Sequence, residues 1–176
     1  MMTTGRAALA GFVVLFAGCT VPPGIPAGST SAPGEQASGA AITAVARAVV
    51  AEVNHTRQEN GLAPLREDAL LSRAAREHSE ELASRRTLTH TSTNPARRTM
   101  TMRIEAVGVV WSRAAENLAN MSGSASSVPE QTARMWMGSD GHRRNMLEPA
   151  YTHTGVGVAI DQRGIWYITQ LYVLPR

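Results

Sequence analysis

The sequence is short of several residue types, and these shortages exclude an intramolecular disulfide and argue against a nucleic-acid partner. Cys19 is the only cysteine among 176 residues, so no intramolecular disulfide can form and the fold must depend on its core. Lysine is absent, and all 17 basic residues are arginines, set against 14 acidic ones. The densest basic group is Arg97, Arg98 and Arg103, which has no interleaved aromatics and no nucleic-acid motif. We therefore expect no nucleic-acid partner.

The first forty residues indicate export followed by a tether. The apolar run 7–18 has the length of a signal-peptide core and falls short of the roughly 20 residues that span a bilayer. It leads into Leu15-Phe-Ala-Gly-Cys19, which is similar to a bacterial lipoprotein box, although Phe16 replaces the usual Leu. We predict a signal peptide over 1–18, then a lipidated Cys19 and a flexible Pro/Gly/Ser-rich linker over 19–40. The alternative is a plain secretory signal cleaved nearby.

From residue 41 onward, hydrophobic periodicity predicts helices packed on a small antiparallel sheet. Helical patterns cover 42–59, 68–84, 99–107, 127–137 and a short turn from 140, with a candidate strand at 108–111. Two apolar runs, 154–160 and 165–173, flank a turn and predict an antiparallel hairpin. His78 falls on the apolar face of the second helix, where we expect a hydrogen-bonded core residue. The fold class is therefore α+β, in one domain over 41–176.

The stretch 136–160 carries the most specific pattern. It begins Trp136-Met-Gly-Ser-Asp-Gly-His142 and continues through Asn145 to the glycine-containing run 155–160. Ser139 or Asp140 can cap a short helix, which places His142 in its first turn. With the elements around His90 and Glu116, this stretch resembles the CAP superfamily (cysteine-rich secretory, antigen 5 and pathogenesis-related-1 proteins), especially its cysteine-free bacterial branch.

The resemblance implies a three-layer α-β-α sandwich and a cleft lined by two histidines and two acidic residues. His90, in Leu88-Thr-His, and His142, in Gly141-His, match the family's two histidines. Glu116, in Glu-Asn-Leu-Ala, matches one acid, whereas Ser139 stands at the position of the other. The missing carboxylate weakens general acid–base catalysis more than it weakens metal binding. His90, Glu116 and His142 would suffice as a three-ligand site for zinc or another divalent metal.

Several functions remain open at the level of sequence. The leading prediction is an exported, membrane-tethered CAP domain, monomeric, that binds a lipid, a sterol-like molecule, an envelope component or a protein partner. The alternative is a metal-assisted hydrolase of peptide or cell-wall bonds, with Glu116 as base and His90 and His142 as ligands. A third possibility is that the three residues form a polar network that only stabilises the fold.

Overall fold

The computed structural model describes residues 33–176, with side chains from residue 39 onward. The predicted signal peptide, Cys19 and the greater part of the predicted linker lie outside the described residues. Within the described range, no helix is both long and apolar enough to cross a membrane. The helices are α1 (Pro33–Glu59), α2 (Ala69–Arg85), α3 (Met100–Ala106), α4 (Val128–Met137) and α5 (Asp140–Leu147). The strands are β1 (Arg66–Glu67), β2 (Trp111–Met121), β3 (His153–Ile160) and β4 (Trp166–Pro175).

The four strands form one mixed sheet in the order β1-β3-β4-β2. β3 and β4 are the predicted antiparallel hairpin, and β2 pairs antiparallel with the other side of β4. The two-residue β1 was not predicted, and it pairs parallel with the start of β3. The sheet is therefore antiparallel over its three long strands, and β2 forms one of its edges.

Helices cover both faces of the sheet, which gives an α-β-α sandwich. Side chains on successive strand residues point to opposite faces, so each strand contributes to two cores. On one face, Ile168 and Tyr172 of β4 pack in a cluster with α1, α4 and α5. On the other, Leu171 and Val173 pack with α2 and α3. Apolar residues of α1 and α2, among them Val49 and Leu71, are buried in these clusters, and His78 of α2 is 1% exposed.

The first helix and the first long strand begin elsewhere than predicted. α1 begins at Pro33 rather than near Ala41, so part of the predicted linker is helical. Proline is favoured in a first helical turn, where its missing N–H would have no partner. The candidate strand 108–111 is wrong, because β2 begins at Trp111. Most of β2 is alanine, asparagine and charged residues with weak strand preference, and its pairing with β4 stabilises it instead.

Candidate functional site

The predicted site residues lie around β2, the strand at one edge of the sheet. Because neighbouring side chains on a strand point to opposite faces, Glu116 faces the layer of α2 and α3, and Asn117 faces α5. Glu116 contacts Arg103 of α3, and the Asn117 amide donates to the main-chain oxygen of His142 in α5. Loops and helices from both layers therefore meet at this edge.

Glu116 is the centre of a buried ionic arrangement. The side chains of Glu116 and Arg103 are 2% and 4% exposed. Oε2 of Glu116 lies 2.5 Å from Nη2 of Arg103. Its Oε1 lies 2.8 Å from Nδ1 of His90. Arg103 also donates to the main-chain oxygen of His90 at 3.2 Å. Both oxygens of Glu116 are thus engaged, one by a guanidinium and one by an imidazole.

His90 presents its ring to solvent while Glu116 holds one nitrogen. The His90 side chain is 61% exposed. The hydrogen bond to Glu116 raises the pKa of His90 above its usual value, against the opposing effects of burial and of the Arg103 charge. With Nδ1 donating to Glu116, Nε2 is an acceptor when the ring is neutral and a donor when the ring is protonated.

The loop that carries His90 is fixed to α2 by Glu81. The Glu81 carboxylate accepts from Ser92 Oγ at 2.5 Å and from both the main-chain N–H and Oγ1 of Thr93, at 2.7 and 2.8 Å. Burial alone would raise the pKa of Glu81, but these hydrogen bonds and one from Arg85 lower it to about 2. At the other end of the loop, Nε2 of His78 lies 3.0 Å from Thr89 O. His78 is thus the hydrogen-bonded core residue that its position in α2 predicted.

His142 occupies the first turn of α5, as predicted. Ser139 is the N-cap residue of α5, although its side chain makes no capping bond. Burial, and then the charge of His90, lower the pKa of His142 below its usual value. The pKa shifts of the two imidazoles therefore run in opposite directions, upward for His90 and downward for His142. The His142 ring is tilted against Trp136, with 6.5 Å between ring centroids, and its buried Nδ1 has no partner among the described residues.

Two asparagines hold α5 against β2. Asn145 of α5 donates to Oδ1 of Asn117 at 2.8 Å, and Asn117 donates to His142 O at 3.1 Å. Asn117 also donates to the hydroxyl of Tyr172, inside the core. These contacts fix the main chain beside His142.

The donors present fit a divalent cation poorly. A metal ion bound to Glu116 would lie beside the guanidinium of Arg103. Because this guanidinium already balances the negative charge of the carboxylate, a second positive charge there is disfavoured. Among residues 33–176, no three His, Cys, Asp or Glu side chains are arranged to hold a metal ion. Arg103 and His90 occupy both oxygens of Glu116, so a zinc ion would have to displace one of these contacts, and the set of His90, Glu116 and His142 stays a prediction.

No second carboxylate in the described part of the chain replaces the one missing at Ser139. The neighbouring Asp140 has an 84% exposed side chain, and its Oδ1 lies 3.5 Å from an Nη1 of Arg143. Arg103 is the site residue that the sequence did not reveal. The sequence places it in the densest basic group with Arg97 and Arg98, whereas the structure buries it and pairs Arg97 with Glu77. A lone arginine in a short amphipathic helix carries no signal that distinguishes burial from exposure.

The comparisons with known proteins agree with this architecture. The chain matches the CAP (cysteine-rich secretory protein) family over residues 50–172. It is 33% identical over 145 residues to YkwD of Bacillus subtilis (strain 168), a match that covers 82% of this chain and 51% of YkwD. The chain thus spans about half the length of that relative.

Solved structures show the same fold. An outer surface protein from Borrelia burgdorferi matches with a TM-score of 0.65 and 20% identity, over 75% of this chain and 93% of that one. An extracellular protein containing a SCP domain from Bacillus anthracis str. Ames matches with a TM-score of 0.62 and 22% identity, over 83% of this chain and 45% of that one. These structures define the class as an α-β-α sandwich of the SCP type. The chain belongs to the CAP family.

Proposed function

We propose that this CAP domain is exported and membrane-tethered, and that it binds the oxygen-bearing head of a ligand between His90 and His142. The ligand would be a lipid, a sterol-like molecule or another envelope component, or the equivalent group of a protein partner. The observation that carries the proposal is the buried Glu116, held between Arg103 and His90. Because this carboxylate is a fixed counter-ion, the groups free to meet a ligand are the imidazoles.

The two imidazoles offer complementary hydrogen bonding. The raised pKa of His90 favours the protonated ring, in which Nε2 is a charged donor, and most of its side chain is exposed. His142, with its lowered pKa, supplies a neutral ring that donates from one nitrogen and accepts at the other. A carboxylate, phosphate or hydroxyl oxygen satisfies both, since charge-assisted hydrogen bonds to an anion are the stronger kind.

Hydrolysis is the less supported function. A general base must be free to take a proton, and Glu116 is instead paired with Arg103 at 2.5 Å. Ser139 cannot serve in its place, and Asp140 lies beside Arg143. The site therefore has fixed charges suited to recognition and lacks a free carboxylate suited to proton transfer.

Binding should depend on the charge of the ligand head. We expect dodecanoate to bind the full-length chain saturably and to shift the NMR signals of the His90 and His142 rings. Dodecyltrimethylammonium has the same tail and a cationic head, so it should not compete below its micelle concentration. His90→Gln should weaken dodecanoate binding about tenfold, which corresponds to losing one charge-assisted hydrogen bond. Equal binding of the two amphiphiles, or no effect of His90→Gln, would contradict the proposed recognition.

Export and tethering are supported by the sequence around Cys19 and by the nature of the similar proteins. The similar solved proteins are described as an outer surface protein and an extracellular protein. We expect the wild-type protein made in a bacterial host to partition into the detergent phase, because a lipidated Cys19 carries acyl chains. Cys19→Ser should move it to the aqueous phase or leave an uncut precursor. Identical partitioning of the two proteins would refute the lipid anchor and leave the ligand proposal unaffected.

A further inference from the structure

Four polar side chains lie inside the core on the face of the sheet that packs against α1. They are Asn117 of β2, Gln170 and Tyr172 of β4, and Thr154 of β3, and each residue is 0% exposed. Tyr172 belongs to the same buried cluster as the apolar residues of α1. None of the four has a side-chain nitrogen or oxygen without a hydrogen-bond partner. They therefore form a complete polar network in apolar surroundings.

The hydrogen bonds of this network run across the sheet from β2 through β4 to β3. Nδ2 of Asn117 donates to the hydroxyl of Tyr172 at 3.2 Å, and this hydroxyl donates to Oε1 of Gln170 at 2.8 Å. Nε2 of Gln170 donates to Oγ1 of Thr154 at 3.0 Å. Oγ1 of Thr154 in turn donates to the main-chain oxygen of Leu171 at 2.8 Å.

The direction of these bonds is fixed at the β3 end by a main-chain oxygen, which can only accept. Because Leu171 O takes the hydroxyl proton of Thr154, this hydroxyl has only acceptor sites left for Gln170. The amide nitrogen of Gln170 therefore faces Thr154, and its oxygen faces Tyr172. Burial raises the pKa of Tyr172 well above its usual value, so its hydroxyl keeps the proton that it donates to Gln170.

The direction is fixed in the same way at the β2 end. The nitrogen of the Asn117 amide donates to His142 O at 3.1 Å and to the Tyr172 hydroxyl. Its oxygen accepts from the amide of Asn145 at 2.8 Å. With the Asn117 amide turned over, its oxygen would face the oxygen of His142 and its nitrogen would face the nitrogen of Asn145. The amide therefore has one orientation, and its contact with the main chain of His142 depends on that orientation.

We propose that Tyr172, Gln170 and Thr154 are positioning residues for His142, acting through the amide of Asn117 on the first turn of α5. Apolar side chains of the same shape could fill this part of the core with little loss of stability. What a fully satisfied buried network adds is a single arrangement of the groups that it joins. The role of these residues toward a ligand rests on the function proposed above, whereas their effect on His142 can be measured without any ligand.

The test uses the full-length chain carrying Cys19→Ser, labelled with ¹⁵N and held at pH 7. Tyr172→Phe keeps the ring and removes the hydroxyl, which leaves one N–H of the Asn117 amide without an acceptor. We expect the NMR signals of the His142 main-chain amide and ring to shift, while those of His90 stay in place. Hydrogen exchange of the Asn117 side-chain amide should become at least about tenfold faster. Dodecanoate should bind at least about fivefold more weakly.

Two further variants separate positioning from a general loosening of the core. Thr154→Val acts at the far end of the network, so it should shift the same His142 signals in the same direction by a smaller amount. Ser79→Ala is the matched control, because it also removes a fully buried hydroxyl. Its Oγ lies 3.0 Å from Gly157 O and 2.9 Å from Thr169 Oγ1, under α2 and outside the network. This variant should lose stability and leave the His142 signals unchanged.

Unchanged His142 signals in Tyr172→Phe, or an equal shift in Ser79→Ala, would overturn the positioning role. If Tyr172→Phe does not fold, the same signals in Thr154→Val decide the question. A wild-type chain that does not bind dodecanoate, with a Tyr172→Phe variant that still shifts His142, would refute the proposed function and support the positioning role. Equal dodecanoate binding by both, with His142 unchanged, would refute the positioning role and leave the function standing.

Discussion

Replacing Gly157 with alanine should lower the free energy of unfolding by at least about 3 kcal/mol. A Cβ at this position would lie 2.0 Å from the main-chain nitrogen of Arg76 and 2.2 Å from the carbonyl carbon of Ala75. Both atoms belong to the α2 backbone, so no side chain can rotate away and the helix itself must move. Because α2 packs directly on β3 through this glycine, the displacement would disturb one entire face of the sheet.

Chemical denaturation of wild type and Gly157→Ala measures this effect. Gly141→Ala is the matched control, because its Cβ would meet only the Arg144 guanidinium, at 4.0 Å. Gly141 lies in α5, where alanine is preferred over glycine by about 1 kcal/mol, so the control should be neutral or slightly stabilising. A loss below about 1 kcal/mol at Gly157 would show that α2 does not lie as close to β3 as described.

Replacing Arg57 with methionine should cost at least about 3 kcal/mol, because it leaves several buried carbonyl oxygens without a donor. Arg57 is 1% exposed and no carboxylate within the described residues lies in salt-bridge distance of it. Its guanidinium instead donates to four main-chain oxygens, those of Ala63, Met146, Glu148 and Tyr151. Two of these follow the end of α5, so Arg57 joins α1 to the helix that carries His142.

Thermal and urea unfolding of Arg57→Met measure the loss, with Arg47→Met as the control. Arg47 lies on the same helix and is exposed, so its replacement should change stability by less than about 0.5 kcal/mol. Arg57→Lys should also destabilise, because an ammonium group cannot reach four carbonyls in different directions. Equal stability of the two methionine variants would contradict the role assigned to Arg57.

Local patterns in the sequence were sufficient for the helices and the hairpin. In α1, Val45, Val49 and Val53 recur every four residues, the spacing of one helix face, and all three are buried. β2 was misplaced because Ala114, Ala115 and their neighbours have little intrinsic preference for a strand. Their conformation is decided by pairing with β4, some fifty residues later in the chain, which no short window of sequence contains.

Only part of the site was predictable, because the burial of a side chain, like the pairing of a strand, depends on residues far away in the sequence. His90, Glu116 and His142 were found through family resemblance, and the structure brings His90 and Glu116 into direct contact. Arg103 and Arg57 were missed because an arginine's burial depends on the distant groups that receive its hydrogen bonds. Without Arg103, the two histidines and Glu116 suggested a metal site. The structure adds Arg103 as the partner of Glu116, and metal binding by the three residues stays a prediction.

Glu116, paired with Arg103, accepts a hydrogen bond from His90 and raises its pKa, whereas burial lowers the pKa of His142. The titration of the two imidazoles tests this central claim most directly. Nitrogen NMR of the full-length Cys19→Ser chain, labelled with ¹⁵N-histidine, follows both rings from pH 4.5 to 9. We expect the pKa of His90 to lie above the ordinary value near 6.5 and that of His142 below it, with one equivalent of zinc at pH 7 leaving both rings unchanged. Titration of both rings together near 6.5, or a stoichiometric zinc-induced shift of both, would contradict it.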